Sequence, residues 1–214
     1  MEPKPLKGTT TLGIVCNDGV ILASEKKATM GYFIATQEVE KIFKIDDHIG
    51  MTIAGAVMDG QKLAQTLAVE AKLFRIRNGR LIGVEAATAL LSNIMYQYKM
   101  YPFYSQIVIG GIETDGTPKL YSLDPWGGVI SEDKYTATGS GTPMAYAILD
   151  DSYEKKDVKE NLHLAVKAIS SAIKRDTASG GAVNLVTITK EGFKQHKKEE
   201  TEKSVQRETE RKRK

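Results

Sequence analysis

The chain has 214 residues, 41% of them hydrophobic and 27% charged, with a net charge of +3, which is ordinary for a globular domain with a full core. No apolar run approaches the roughly 18 residues of a membrane span, and the opening MEPKPLKG lacks the apolar stretch of a secretory signal. Cys16 is the lone cysteine, which excludes an internal disulfide framework, and His48, His163 and His196 lack metal-site spacing, so neither metal nor cofactor is expected.

The basic surplus sits at one end. Residues 194–214 carry nine Lys or Arg against five Glu, a surplus of +4 that leaves about −1 for the rest. No stripe of interleaved basic and aromatic residues is present, so nucleic-acid binding is not expected. Mixed charges around a single Val205 predict a solvated, disordered tail over 194–214.

In chain order, Thr9–Thr11 open a predicted strand over 9–16, since β-branched residues suit a pleated surface. Asn17-Asp18-Gly19 reads as a turn and 20–26 as the returning strand. Further strands are predicted at 32–37, 41–46 and 49–55. Helical spacing then appears at Leu63, Leu67, Ala71 and Phe74, and again from Ala87 to Tyr101, with Asn78-Gly79 between the two helices. Strands are predicted at 105–113, 118–124 and 129–136. Pro143 marks a helix start, and Val158 to Ile173 keep helical period, with Asp157 and Glu160 spaced like a capping pair. A strand pair near 183–189 and 192–196 closes the chain. Helices and strands come in blocks rather than in alternation, which argues against a doubly wound parallel sheet. The expected fold is α+β: one domain over residues 9–193, a four-layer αββα sandwich of two antiparallel sheets between helical layers.

Gly8 before three threonines raises a chemical possibility. A threonine hydroxyl needs a base to act as nucleophile. Freed at a chain start it would bring its own, because an α-amino group titrates near ~8. A neighbouring lysine of depressed pKa could serve too, held by an acid. A backbone N–H would receive the developing oxyanion. Glu25, Lys41 and Gly55 lie on or at the ends of predicted strands, and the turns TATGSGTP (136–143) and KRDTASGG (174–181) offer Ser140, Asp176 and Ser179. Taken singly, each has a plainer reading: Glu25 and Lys41 as a surface ion pair, Gly55 as a turn, the serines as turn residues.

Together, TTTLGIV after Gly8, SEKKATMG, Lys41, GMTIAG, TGSGTP and RDTASGG resemble, in order and spacing, an archaeal-type 20S proteasome β subunit, over residues 8–190. The resemblance implies the N-terminal nucleophile hydrolase fold and a threonine-type endopeptidase. It implies Thr9 as nucleophile, Lys41 against its hydroxyl and Glu25 against Lys41, where many members carry Asp. Asp176 and Ser179 would support the terminal amine with Ser140 close by, and Gly55 would form the oxyanion hole. Thr29 would hold the substrate backbone in a strand-like pose. Ala28, Val39, Ile53 and Val57 would line the pocket for the side chain before the cut, and without a charge among them large apolar residues are the expected preference. Residues 1–8 would be a propeptide cut autocatalytically between Gly8 and Thr9. The family implies cytoplasmic particles of seven-membered β rings stacked between α-subunit rings, in some archaea with a second β subunit. A regulatory ATPase works through the α rings on polypeptide substrates. A bacterial two-ring relative and a non-catalytic ring subunit are the nearest rivals.

Overall fold

A computed structural model describes residues 8–30 and 33–197. Its first sheet contains β1 (Thr10–Val15), β2 (Gly19–Glu25), β10 (Tyr135–Gly139), β11 (Val183–Thr189) and β12 (Gly192–Gln195), in the order β10-β1-β2-β11-β12. The second contains β5 (Ile42–Asp46), β6 (Ile49–Gly55), β7 (Ser105–Ile112), β8 (Pro118–Leu123) and β9 (Val129–Ser131), in chain order. Every pairing is antiparallel. A separate hairpin joins β3 (Ala28–Met30) to β4 (Phe33–Thr36).

Four helices complete the layers: α1 (Val57–Asn78), α2 (Val84–Gln97), α3 (Thr142–Ser152) and α4 (Val158–Arg175). Strand periodicity sorts the core into three slabs. Along β2, Ile21 and Ala23 face the slab shared with α3 and α4, while Val20 and Leu22 face the slab between the sheets. Along β7, Val108 joins that middle slab while Ile107 and Ile109 turn to the slab under α1 and α2. Strands buried on both faces must read as unbroken apolar runs, as VILA in β2 and IVIGGI in β7 do. The order is therefore α1/α2, second sheet, first sheet, α3/α4, which is the expected four-layer sandwich.

Two local expectations are corrected. The strand predicted over 129–136 is two strands in different sheets: β9 pairs with β8, whereas β10 crosses to pair with β1 and runs into the glycine–serine turn. An alternating apolar pattern cannot show that a strand changes sheet midway. Nor do Asp157 and Glu160 cap each other. Asp157 Oδ1 accepts from Asn17 Nδ2 at 3.3 Å, and Asp18 Oδ1 takes the orphan Val158 N–H at 2.7 Å. Helix α4 is thus capped by the β1–β2 turn, a partner 140 residues away.

Of the strand predicted at 32–37, residues 33–36 form β4, Gln37 lies past its end, and residue 32 lies outside the described residues. Most of the expected tail lies outside the described residues, although Lys194 and Gln195 belong to β12. Residues 1–7 of the expected propeptide also lie outside them. Among the described residues no helix is long and apolar enough to cross a membrane.

Candidate active site

Thr9 stands immediately before β1, at the end of the first sheet where β10 and the turn after α4 converge. It is 3% exposed, Lys41 1% and Glu25 0%. The plain reading of Glu25 and Lys41 as a surface pair therefore fails: both are interior. Lys41 Nζ donates to Thr9 Oγ1 at 3.0 Å, to the Lys27 carbonyl at 2.6 Å, and to Glu25 Oε1. An ammonium has three donors, and all three are used.

Burial of a charged pair costs more than its attraction returns unless the remaining lone pairs are also satisfied. Glu25 meets that condition. Oε1 also accepts the Thr10 N–H at 3.3 Å, and Oε2 accepts from Lys27 N at 2.6 Å and Gly180 N at 3.0 Å. The carboxylate is held at the end of β2 by backbone from three segments. Burial pushes Lys41 below its ordinary pKa, against the opposing pull of the Glu25 charge. The neutral amine, which can accept a proton, is correspondingly more accessible than for a solvated lysine.

A second polar group flanks the first. Asp176, at the C-terminal end of α4, accepts through Oδ2 from Ser179 Oγ at 2.6 Å and from Ser140 Oγ at 2.5 Å. Its Oδ1 accepts the Ala178 N–H at 3.2 Å. Ser140 Oγ also lies 3.5 Å from the Thr9 carbonyl oxygen. The two glycine–serine turns, 36 residues apart, thus meet on one carboxylate.

Gly8 precedes the nucleophile candidate with its carbonyl oxygen accepting from the Thr9 hydroxyl at 2.6 Å. Its φ of 51° is left-handed, and a Cβ there would stand 2.4 Å from that of Ala178. Only glycine fits both demands. Gly55 ends β6 at φ 128°, where a Cβ would meet the Tyr104 carbonyl oxygen at 2.2 Å. A Cβ on Gly139 would contact the Thr9 carbonyl oxygen and, at 3.3 Å, the Ala54 side chain, so the end of β6 lies beside the start of β1.

The pocket candidates divide. Ala28, Thr29, Val39 and Val57 are half-buried, at β3, at the approach to β5 and at the start of α1. Ile53 is 2% exposed and packs against the α-carbon of Gly60 in the slab under α1. Three participants carried no signal in the sequence: the Lys27 carbonyl, the Gly180 N–H and the Thr10 side chain. Backbone groups have no residue code, and a threonine in a run of three reads as strand.

The family model described as proteasome subunit matches residues 6–188. The chain belongs to the proteasome subunit family. Within that family it stands with the β type. It is 50% identical over 190 residues to the proteasome subunit beta of Methanocaldococcus vulcanius, covering 88% of this chain and 85% of the relative. It is 49% identical over 198 residues to that of Methanosarcina thermophila, covering 92% and 94%. With that of Methanocaldococcus jannaschii it shares 48% over 199 residues, covering 92% and 89%.

Proposed function

We infer that the chain works as a proteasome core β subunit, within a family of proteases. We propose that this subunit is catalytic, a threonine-type endopeptidase whose nucleophile is Thr9, exposed by autocatalytic cleavage of the Gly8–Thr9 bond. The carrying observation is one hydroxyl held between two groups: Thr9 Oγ1 lies 3.0 Å from Lys41 Nζ and 2.6 Å from the Gly8 carbonyl oxygen.

In self-cleavage the α-nitrogen of Thr9 is an amide and cannot be the base. Neutral Lys41 takes the hydroxyl proton, and Oγ attacks the Gly8 carbonyl carbon. The C–N bond breaks, the nitrogen takes up the proton, and residues 1–8 are left as an ester on Thr9. Water then hydrolyses the ester, releasing those residues with a carboxylate and leaving a free amine. In peptide turnover the same oxygen attacks a substrate carbonyl. Lys41 and the freed amine share proton transfer, Asp176, Ser179 and Ser140 support the amine, and the Gly55 N–H receives the oxyanion.

Thr29 pairs the substrate backbone, while Ala28, Val39, Ile53 and Val57 form an uncharged pocket that favours cleavage after large apolar residues. The working particle is cytoplasmic, with seven-membered β rings stacked between α-subunit rings. A second β subunit can share the ring, and a regulatory ATPase feeds polypeptide through the α rings. Mass measurement of the N-terminus in the assembled particle, with turnover of a fluorogenic peptide ending in Tyr, tests the proposal. A chain beginning at Thr9 with turnover is expected. An active particle whose β chains all retain Met1, or a correctly assembled one without turnover, overturns it.

A further inference from the structure

Thr10 bonds to both polar groups of the site, through two different atoms. Its backbone N–H donates to Glu25 Oε1 at 3.3 Å, on the lysine side. Its hydroxyl lies 2.6 Å from Ser179 Oγ, on the aspartate side. The direction of that second bond can be worked out. Ser179 has a single hydroxyl proton, and it goes to Asp176 Oδ2 at 2.6 Å. Thr10 must therefore be the donor, and a lone pair of Ser179 is tied to β1.

The fit around this hydroxyl is close. Thr10 is fully buried. A Cβ on Gly141 would stand 2.0 Å from Thr10 Oγ1, so the second glycine of TGSGTP leaves the room that the hydroxyl occupies. The backbone of Gly141 does not itself require glycine, since its φ of −86° is open to any residue.

We propose that Thr10 is a positioning residue for peptide turnover, registering the Ser179–Asp176 pair and Glu25 to the same point of β1, one residue after the nucleophile. This rests on the reading of Thr9 as nucleophile and of the Asp176 group as the support of its freed amine. It has a consequence that a purely structural threonine would not have. Self-cleavage takes place while the Thr9 nitrogen is still an amide, so it draws on the lysine side alone. Turnover draws on both sides. Loss of the Thr10 hydroxyl should therefore separate the two reactions.

Thr10→Val keeps the shape and the N–H and deletes the hydroxyl. In the assembled particle it is expected to yield chains starting at Thr9 at the wild-type rate. For the fluorogenic peptide, kcat falls about tenfold, the order of one lost net hydrogen bond, with KM unchanged. Thr10→Ser restores kcat. Thr10→Ala, which also deletes the hydroxyl and keeps the N–H, reproduces the split if valine prevents assembly. Wild-type kcat in Thr10→Val, or self-cleavage slowed in parallel with turnover in both variants, overturns the proposal. Thr9→Ala is measured alongside. If it keeps turnover, the nucleophile reading itself falls; if it is inactive while Thr10→Val is normal, only the role of Thr10 falls.

Discussion

Two adjacent hairpins of this chain are built in opposite ways. In the β1–β2 hairpin every residue of both strands is buried. In the β3–β4 hairpin none is, and Met30 and Phe33 are 73% and 67% exposed. The first hairpin ends in the buried Thr9–Lys41–Glu25 group, and the second carries Ala28 and Thr29, the proposed contacts for the substrate backbone and side chain. Proton chemistry gains from a dry and fixed setting, because each interaction there is stronger than in water and needs no reorganisation. A site that must admit many different polypeptides gains from an open edge. Changes to the first hairpin's group should therefore be all-or-none, and changes around the second graded.

The largest effect is expected at Thr9 and Lys41. Thr9→Ala should lower turnover by about 10⁴-fold or more, the usual cost of removing one member of a catalytic unit, in particles that still assemble. Thr9→Ser should keep substantial turnover, since hydroxyl and amine both survive. Lys41→Ala should be as damaging and should also retain residues 1–8 by N-terminal mass. Lys41→Arg should fail likewise, because guanidinium does not release its proton near neutral pH.

Next comes a pH dependence. Lys41 has its folded pKa lowered by burial, so between that value and the ordinary 10.5 the unfolded chain binds the extra proton. Stability contributed at this position should thus rise with pH across that window and level off above it. Comparison of thermal midpoints for Thr9→Ala with those for Thr9→Ala/Lys41→Met over alkaline pH checks the sign. Equal slopes in the two would show that Lys41 does not titrate there.

Smaller still should be the effect in the proposed substrate pocket. Val57→Glu places a carboxylate in an uncharged pocket and should lower kcat/KM for a peptide ending in Leu by about 10–100-fold while raising that for one ending in Arg, the scale on which apolar pockets discriminate. Paired assays of the two substrates read this directly. The smallest effect is expected at the outward lysines. Lys26 pairs with Glu38 and Glu40, and Lys44 with Asp47. Pairs whose acid is open to solvent contribute about 0–1 kcal/mol, so Lys26→Ala and Lys44→Ala should leave self-cleavage and turnover unchanged in the same assays.

The contrast between the hairpins also marks what could be read beforehand. β1 and β2 announce themselves through β-branched runs around Asn17-Asp18-Gly19, and α4 through its period. Local propensity could not divide 129–136 between two sheets, nor find Asp18 as the cap of α4, because both outcomes are decided by partners distant in sequence. The same holds within the candidate site. Glu25, Lys41 and Asp176 stood out as charges next to turns, yet only the ordered motifs suggested that they converge, and burial of the Glu25–Lys41 pair contradicts what the charges alone suggest. Thr10 was hidden in a strand-forming run, and its role depends on a serine 169 residues away.

The capping of α4 by Asp18 has a consequence for how the chain can change over generations. One end of the helix is fastened to the turn of the hairpin that begins beside Thr9. The other end delivers Asp176, after 18 residues, or about 27 Å at the helical rise. The helix therefore acts as a gauge block between two fixed points. One inserted or deleted residue would swing Asp176 by about 100° around the axis and take it off Ser140, which stands on a separate segment. Side chains along α4 can be exchanged without moving either fixed point, whereas its length cannot drift.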